Sequence, residues 1–191
     1  MKKPILKNIN ADGENFSTIL DSISFDKTLK RISHEIIEKK SDSDTLAVIG
    51  ICTRGETLAK RITENLKSLT QKEIPFGILD ITLYRDDVRT SLNQPHLKRT
   101  EIYFDINNKK IILVDDVLFT GRTIQAALNA LRDLGRAKSI ELCVLIDRGH
   151  REIPIKADYV GKNIATSKKD SIIVKVKEID GEDIVILKNE R

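Results

Sequence analysis

Two adjacent carboxylates, Asp115 and Asp116, end the apolar run Ile111-Ile112-Leu113-Val114, and Val117-Leu118-Phe119-Thr120-Gly121-Arg122-Thr123 follows at once. This order predicts acids at the carboxyl end of a strand and anion-binding groups at the mouth of a helix. A sugar phosphate suits such a pair. The carboxylates accept hydrogen bonds from two ribose hydroxyls, while loop amides, the hydroxyls of Thr120 and Thr123 and the helix dipole hold the phosphate. Gly121 lets backbone approach a ligand closely, and Arg122 offers an extra cation. Either half of the motif alone also occurs in ordinary α/β proteins, where acids or threonines simply cap a helix. Their combination is more specific. Ile124, Ala127, Leu128, Leu131 and Leu134 then recur at helical spacing, and Gly135 suits the C-terminal cap. The loop lacks the Gly-Lys-Ser/Thr of a P-loop, and no G-x-G-x-x-G follows a strand, so nucleoside triphosphatase and dehydrogenase readings have little support.

Three further segments fall where strands give way to loops. Gly50-Ile51-Cys52-Thr53-Arg54-Gly55 places Arg54 and nearby amides to face an anion, although the same pattern also describes a plain strand-helix connection. Tyr84-Arg85-Asp86-Asp87 opens an irregular stretch from Val88 to Glu101 and is a candidate lid or a charged surface turn. Asp147-Arg148-Gly149-His150-Arg151-Glu152-Ile153-Pro154 follows another strand and could cover a bound base. His150, close to Arg148 and Arg151, is more commonly a polar surface group than a catalyst. With no His, Cys or carboxylate cluster at ligand spacing, a zinc site is not expected.

The elements that must position these groups alternate. A polar lead-in arm over residues 1–24, with an edge strand around Ser17–Leu20, precedes a helix from Lys27 to Lys39 capped by Asp26. Its core positions are Leu29, Ile32, Ile36 and Ile37. Then follow a buried strand at Thr45–Ile51, a helix at Thr57–Leu69, a strand at Pro75–Leu83, the motif strand and helix, and a strand at Ser139–Ile146. Short closing strands fall at Ile172–Val176 and Ile184–Leu187. Strand-helix alternation predicts an α/β fold with a largely parallel sheet and ligands at the carboxyl ends of its strands. After the arm, residues 25–191 read as one domain.

The 191 residues suffice for a core without disulfides, and 40% apolar with 32% charged residues describes a soluble globular chain. Cys52 and Cys143 sit in or beside apolar strands without metal-ligand spacing, as expected of reduced thiols in the cytoplasm. No stretch is long enough to span a bilayer, and the basic N-terminus lacks the apolar region of a signal peptide. A net charge of +4 permits phosphate-rich ligands or RNA and distinguishes neither.

The residues 111–123 resemble the phosphoribosyl-pyrophosphate (PRPP) signature of the type I phosphoribosyltransferases. Asp80-Ile81-Thr82-Leu83-Tyr84-Arg85-Asp86-Asp87, Asp147-Arg148-Gly149-His150-Arg151-Glu152 and Ala157-Asp158-Tyr159-Val160-Gly161-Lys162-Asn163 extend the likeness. Together they resemble the bifunctional pyrimidine operon regulatory protein / uracil phosphoribosyltransferase family, over roughly residues 26 to 189. The resemblance implies a type I phosphoribosyltransferase fold, with a twisted sheet flanked by helices, a small hood around residues 147–165 and a flexible loop. It implies formation of UMP and pyrophosphate from uracil and PRPP. Thr53 and Arg54 would then lie in the pyrophosphate loop and Arg85 and Asp86 in the flexible loop. Asp115, Asp116, Val117, Leu118, Phe119, Thr120, Gly121, Arg122 and Thr123 would hold the ribose phosphate, and Arg148 would lie in the hood over the base. Asp115, Asp116, Arg85 and Asp86 are the residues expected to bear on catalysis. Mg²⁺ would be held mainly by PRPP oxygens, with no direct protein ligand set. Purine enzymes of this type usually carry an Asp just before the Thr-Gly of the signature loop; Phe119 stands there instead, which favours a pyrimidine.

The same resemblance implies binding of pyrimidine leader mRNA when UMP or UTP is present, and a homodimer or larger assembly, with part of the Thr28–Ile37 helix at an interface. Lys27, Lys30, Arg31 and His34 on the first helix, with Arg151 and Lys156, are the candidate RNA contacts. The chain departs from the family pattern in three places. Cys52 replaces a commonly basic residue, Lys30 replaces a commonly hydroxylic one, and the N-terminal arm is longer. Three readings follow: a uracil phosphoribosyltransferase, an RNA-binding attenuator using its site mainly as a nucleotide sensor, or a phosphoribosyltransferase for hypoxanthine or guanine.

Overall fold

The aliphatic runs of this chain pair into two sheets. A computed structural model describes residues 7–9, 15–39, 45–86 and 99–189. Within them the order is β1 (Lys7–Ile9), β2 (Asn15–Leu20), α1 (Ser22–Lys39), β3 (Leu46–Ile51), α2 (Arg54–Thr70) and β4 (Phe76–Leu79). A 3₁₀ turn at Thr82–Tyr84 precedes β5 (Lys110–Leu118), α3 (Arg122–Leu134), β6 (Ser139–Asp147) and β7 (Tyr159–Asn163). The chain closes with β8 (Ser171–Lys175), α4 (Lys177–Asp180) and β9 (Ile184–Lys188).

The larger sheet is parallel, in the order β4-β3-β5-β6-β7. Its central strands are apolar on both faces because helices cover both. Along β5, Ile112 and Val114 pack with α1 and α2 while Ile111 and Leu113 pack with α3, the period of two that a strand imposes. The α3 stripe Ile124, Ala127, Ala130 and Leu131 buries against that second face. Because all five strands run the same way, the loops after β3, β4, β5, β6 and β7 emerge along one edge. Strand order reverses between β3 and β5, and the crevice at such a reversal is where α/β sheets take ligands.

The smaller sheet is antiparallel, in the order β1-β2-β9-β8, and joins the two chain ends. The expected lead-in arm therefore contributes two strands rather than one edge strand, as well as the start of α1. That helix begins at Ser22, not Lys27: the Asp21 carboxylate accepts the Ser24 N–H at 2.8 Å, so Asp21 supplies the cap assigned to Asp26. Helix α2 likewise starts at Arg54. Strand β4 stops at Leu79 because Asp80 accepts both the Thr82 N–H (2.9 Å) and its hydroxyl (2.6 Å), turning the chain. Strand β7 and helix α4 escape the periodicity analysis, being short and only partly apolar. Most of the expected flexible loop, residues 87–98, lies outside the described residues, as does part of the arm. No described helix is long and apolar enough to cross a membrane, and neither Cys52 nor Cys143 forms a disulfide.

Candidate functional site

Asp115 and Asp116 lie in the C-terminal half of β5, beside the strand-order reversal, and the strand runs on past them to Leu118 rather than ending at the acids. Asp115 is buried and Asp116 half-buried. The Asp116 N–H donates to Asp115 Oδ1 at 3.0 Å, and the Val117 N–H donates to Asp116 Oδ1 at 2.8 Å. Burial pushes both carboxyls above the ordinary range, and the charge of Asp116 adds to this at Asp115. Arg85 partly offsets the rise at Asp115, and Arg54 does so at Asp116. Two arginines from separate segments, Arg54 at the start of α2 and Arg85 after the 3₁₀ turn, thus bear on one carboxylate pair. A cation, or hydroxyl groups that donate hydrogen bonds, would relieve the remaining repulsion.

The β3–α2 loop meets that pair through close backbone packing. A Cβ on Gly55 would lie 2.6 Å from the Val114 carbonyl and 3.2 Å from Asp115 Cα, so only glycine lets the mouth of α2 rest on β5. Thr53 is exposed at the N-cap of α2. Arg54, in the first turn, donates Nε–H and Nη2–H to Asp180 at 3.2 and 2.9 Å.

The β5–α3 loop forms the second anion-facing mouth. Gly121 caps α3 with φ +94°, a left-handed conformation suited to glycine. Leu118 points into the core while its carbonyl accepts the Arg148 N–H at 3.1 Å. The Thr120 carbonyl accepts the Glu152 and Ile153 N–H groups at 2.9 and 3.1 Å. Val117 and Thr123 are half-buried on either side. Arg122, exposed, donates Nε–H to Glu152 at 2.8 Å and pairs through Nη1 with Asp86, joining the root of the expected lid to the β6–β7 loop. Tyr84 anchors that root on α3 through Asp133, at 2.7 Å.

Beyond β6, Arg148 is buried with its guanidinium 4.0 Å from the centre of the Phe119 ring. Its Nε–H and Nη2–H reach Thr166 Oγ1 (3.3 Å) and the Ser167 carbonyl (2.9 Å). His150 meets Phe119 edge-on at 6.1 Å, and its Nε2 lies 2.6 Å from the Thr166 carbonyl oxygen. A cleft of about 410 Å³ opens here, lined by Asp147, Arg148, His150, Asn163, Ile164 and Thr166.

The structure thus brings the residues from β3, β5 and β6 to one edge, with Arg85 and Asp86 beside them. The nucleic-acid candidates divide. Lys30 and His34 line a shallow groove between α1 and α2, Lys30 paired with Asp26 at 2.8 Å. Arg31 instead reaches Glu35 and the carbonyls of Val160 and Gly161. Arg151 spends its donors inward, on the carbonyls of Phe119 (2.8 Å), Ile155 (3.0 Å) and Gly149 (3.1 Å) and on Asp147. It braces the β5–α3 loop, and a surface cation read from sequence is a buried-facing strut in space. Thr166 and Asp180 carried no signal in the sequence, and Glu152 figured there only as part of the 147–154 segment, with no role of its own. Glu178, Asp180, Glu182 and Asp183 crowd one short segment, but nothing local in it says which cation they meet.

Among the described residues no three His, Cys, Asp or Glu side chains come together as a metal site. The paired carboxylates alone fit Mg²⁺ only in company with oxygens from a ligand.

Comparison with known proteins bears on this arrangement. Residues 15–180 match the phosphoribosyl transferase domain family. The chain is 55% identical over 174 residues to a Bifunctional protein PyrR of Caldicellulosiruptor bescii, covering 91% of this chain and 96% of that one. It is 53% identical over 171 residues to a Bifunctional protein PyrR of Deinococcus radiodurans, covering 90% and 93%. A solved hypoxanthine-guanine phosphoribosyltransferase from Bacillus anthracis is similar at TM-score 0.67 and 16% identity, over 91% of this chain and 97% of that one. A hypoxanthine phosphoribosyltransferase from Staphylococcus aureus is similar at 0.66 and 18%, over 88% and 89%. At such identities the solved structures speak to the fold alone.

Proposed function

This chain belongs to the phosphoribosyl transferase domain family, and within it to the Bifunctional protein PyrR family, and from that premise we propose that it transfers the phosphoribosyl group of PRPP to uracil, releasing pyrophosphate and UMP. The observation that carries the reading is the convergence of two anion-facing helix mouths, at Arg54 and at Gly121, on the pair of buried Asp115 and half-buried Asp116. One mouth suits the pyrophosphate and the other the 5′-phosphate, with the ribose hydroxyls donating to the carboxylates between them.

In this scheme the uracil N1 forms a bond to C1′ as the C1′–O bond to pyrophosphate breaks, and the N1 proton leaves to solvent. The transition state is oxocarbenium-like. Asp115 and Asp116 stabilise the ribose as positive charge develops, and Arg54 faces the negative charge that builds on the leaving group. Arg85 and Asp86, at the root of the loop, help exclude water from the reacting carbon. Mg²⁺, bound chiefly through donor oxygens, would supply further charge neutralisation. Phe119 fills the position of the purine enzymes' Asp and presents a flat apolar face next to Arg148, which supports a pyrimidine over hypoxanthine or guanine.

A base panel tests the reading: protein, PRPP and Mg²⁺ with uracil, hypoxanthine, guanine, adenine or orotate, following nucleotide and pyrophosphate. UMP from uracil alone is expected. Turnover with a purine, or with no base at all despite PRPP binding, would overturn it.

The relatives are named bifunctional, which favours a second role in the same chain, binding of pyrimidine leader RNA in response to UMP or UTP. Lys30 and His34 remain surface candidates for it, while Arg151 serves the loop. Binding that strengthens with UMP and falls steeply with salt would support that role, and a flat salt response would count against it.

A further inference from the structure

Arg54 lies in the first turn of α2, yet its orientation is set by a segment 126 residues later in the chain. Asp180 Oδ1 accepts from Arg54 Nη2 at 2.9 Å and Oδ2 from Arg54 Nε at 3.2 Å, so one whole edge of the guanidinium is engaged. Asp180 is itself held: its Oδ2 also accepts the Val176 N–H at 2.9 Å, and its own N–H donates to the Val176 carbonyl at 2.7 Å. Two turns along α2, Arg61 binds Glu178 (2.9 Å through Nε) and Asp183 (2.8 Å) from the same segment. The turn around α4 thus grips two arginines on one face of α2. A guanidinium carries five N–H donors in a rigid plane. With two committed to Asp180, the opposite edge keeps a fixed direction, and its charge acts on Asp116.

Resting on the phosphoribosyl-transfer reading, we propose that Asp180 is a positioning residue that aims the free edge of Arg54 at the pyrophosphate of the donor. Asp180 touches no reacting atom. Its effect passes entirely through Arg54, and the small antiparallel sheet carrying α4 thereby completes a site otherwise built by the large sheet.

The test measures binding of inorganic pyrophosphate with Mg²⁺, and separately of UMP, to the full chain by calorimetry. The variants are D180N, R54A and the double variant D180N/R54A. D180N keeps an acceptor for Val176 and removes the charge that orients Arg54. Pyrophosphate binding is expected to weaken about tenfold in D180N, the scale of one oriented charge-assisted hydrogen bond. UMP, which lacks the pyrophosphate, should bind as before, and D180N should add nothing in the R54A background. The conservative D180E, whose longer side chain can still reach Arg54, should recover part of the loss. Unchanged pyrophosphate affinity in D180N, an equal loss of UMP affinity, or a further loss in the double variant would each overturn the proposal. These readouts need no turnover, so an inactive wild-type protein would sink the uracil reading in the base panel while leaving the Asp180 result to stand or fall by itself.

Discussion

The guanidinium of Arg148, which lines the cleft after β6 and β7, lies 4.0 Å from the centre of the Phe119 ring. Phe119 comes from the loop that caps α3, and Arg148 from the end of a neighbouring strand. A buried cation on an aromatic face is worth about 0.5–2 kcal/mol, and here it ties the β5–α3 loop to the segment that follows β6. Arg148→Ala is therefore expected to raise KM for uracil at least about tenfold while changing KM for PRPP much less. Steady-state kinetics with each substrate varied in turn would check this, and equal changes in both constants would rule it out.

On the proposed reaction, replacing Asp115 or Asp116 by Asn should lower kcat on the order of 100-fold, since each would contribute oriented charge where the ribose becomes positive. The variants should remain folded by circular dichroism.

Stability should move the other way. A carboxyl whose pKa is raised in the folded chain binds its proton more tightly there than when unfolded, so folded stability falls as pH climbs from the ordinary value of 3.8 through the raised one. Asp115→Asn abolishes that loss. Its melting temperature should exceed that of the wild type at neutral pH, and the gap should close as pH falls to about 4. Thermal melts across that range would decide it, a lower melting temperature at neutral pH being the contrary outcome.

Gly55→Ala should destabilise by about 1–3 kcal/mol, because the new methyl would sit against the Val114 carbonyl. If α2 shifts away to relieve the clash, PRPP affinity falls with it. Chemical denaturation and PRPP titration measure the two effects.

Arg151→Ala should lower unfolding free energy by about 2 kcal/mol, as the carbonyls of Phe119 and Gly149 lose a shared charged donor. A role confined to RNA would leave stability untouched and change only the salt-dependent binding of leader RNA.

The strand-loop-helix motif from Ile111 to Thr123 was legible in the linear sequence because its parts are consecutive. A continuous apolar run sets the strand, two acids stand near its end, Gly121 and the Ile124–Leu131 stripe begin the helix, and no distant residue is needed to see this order. The same holds for the core of the parallel sheet, whose strands are continuous apolar runs. Helix starts at Ser22 and Arg54 were less visible, since a cap depends on which carboxylate or backbone turn is in reach.

What only the tertiary structure decided is which charges meet. Arg122 with Asp86 and Glu152, Arg151 with the carbonyls of the neighbouring loop, and Arg54 with Asp180 are pairings between segments that the sheet order brings to one edge. A sequence records that an arginine is present and that it follows a strand. Whether that arginine faces solvent, a ligand or a buried carbonyl depends on strand order and crossover packing. Those arise from burying both faces of the sheet at once, and no local run of residues contains them.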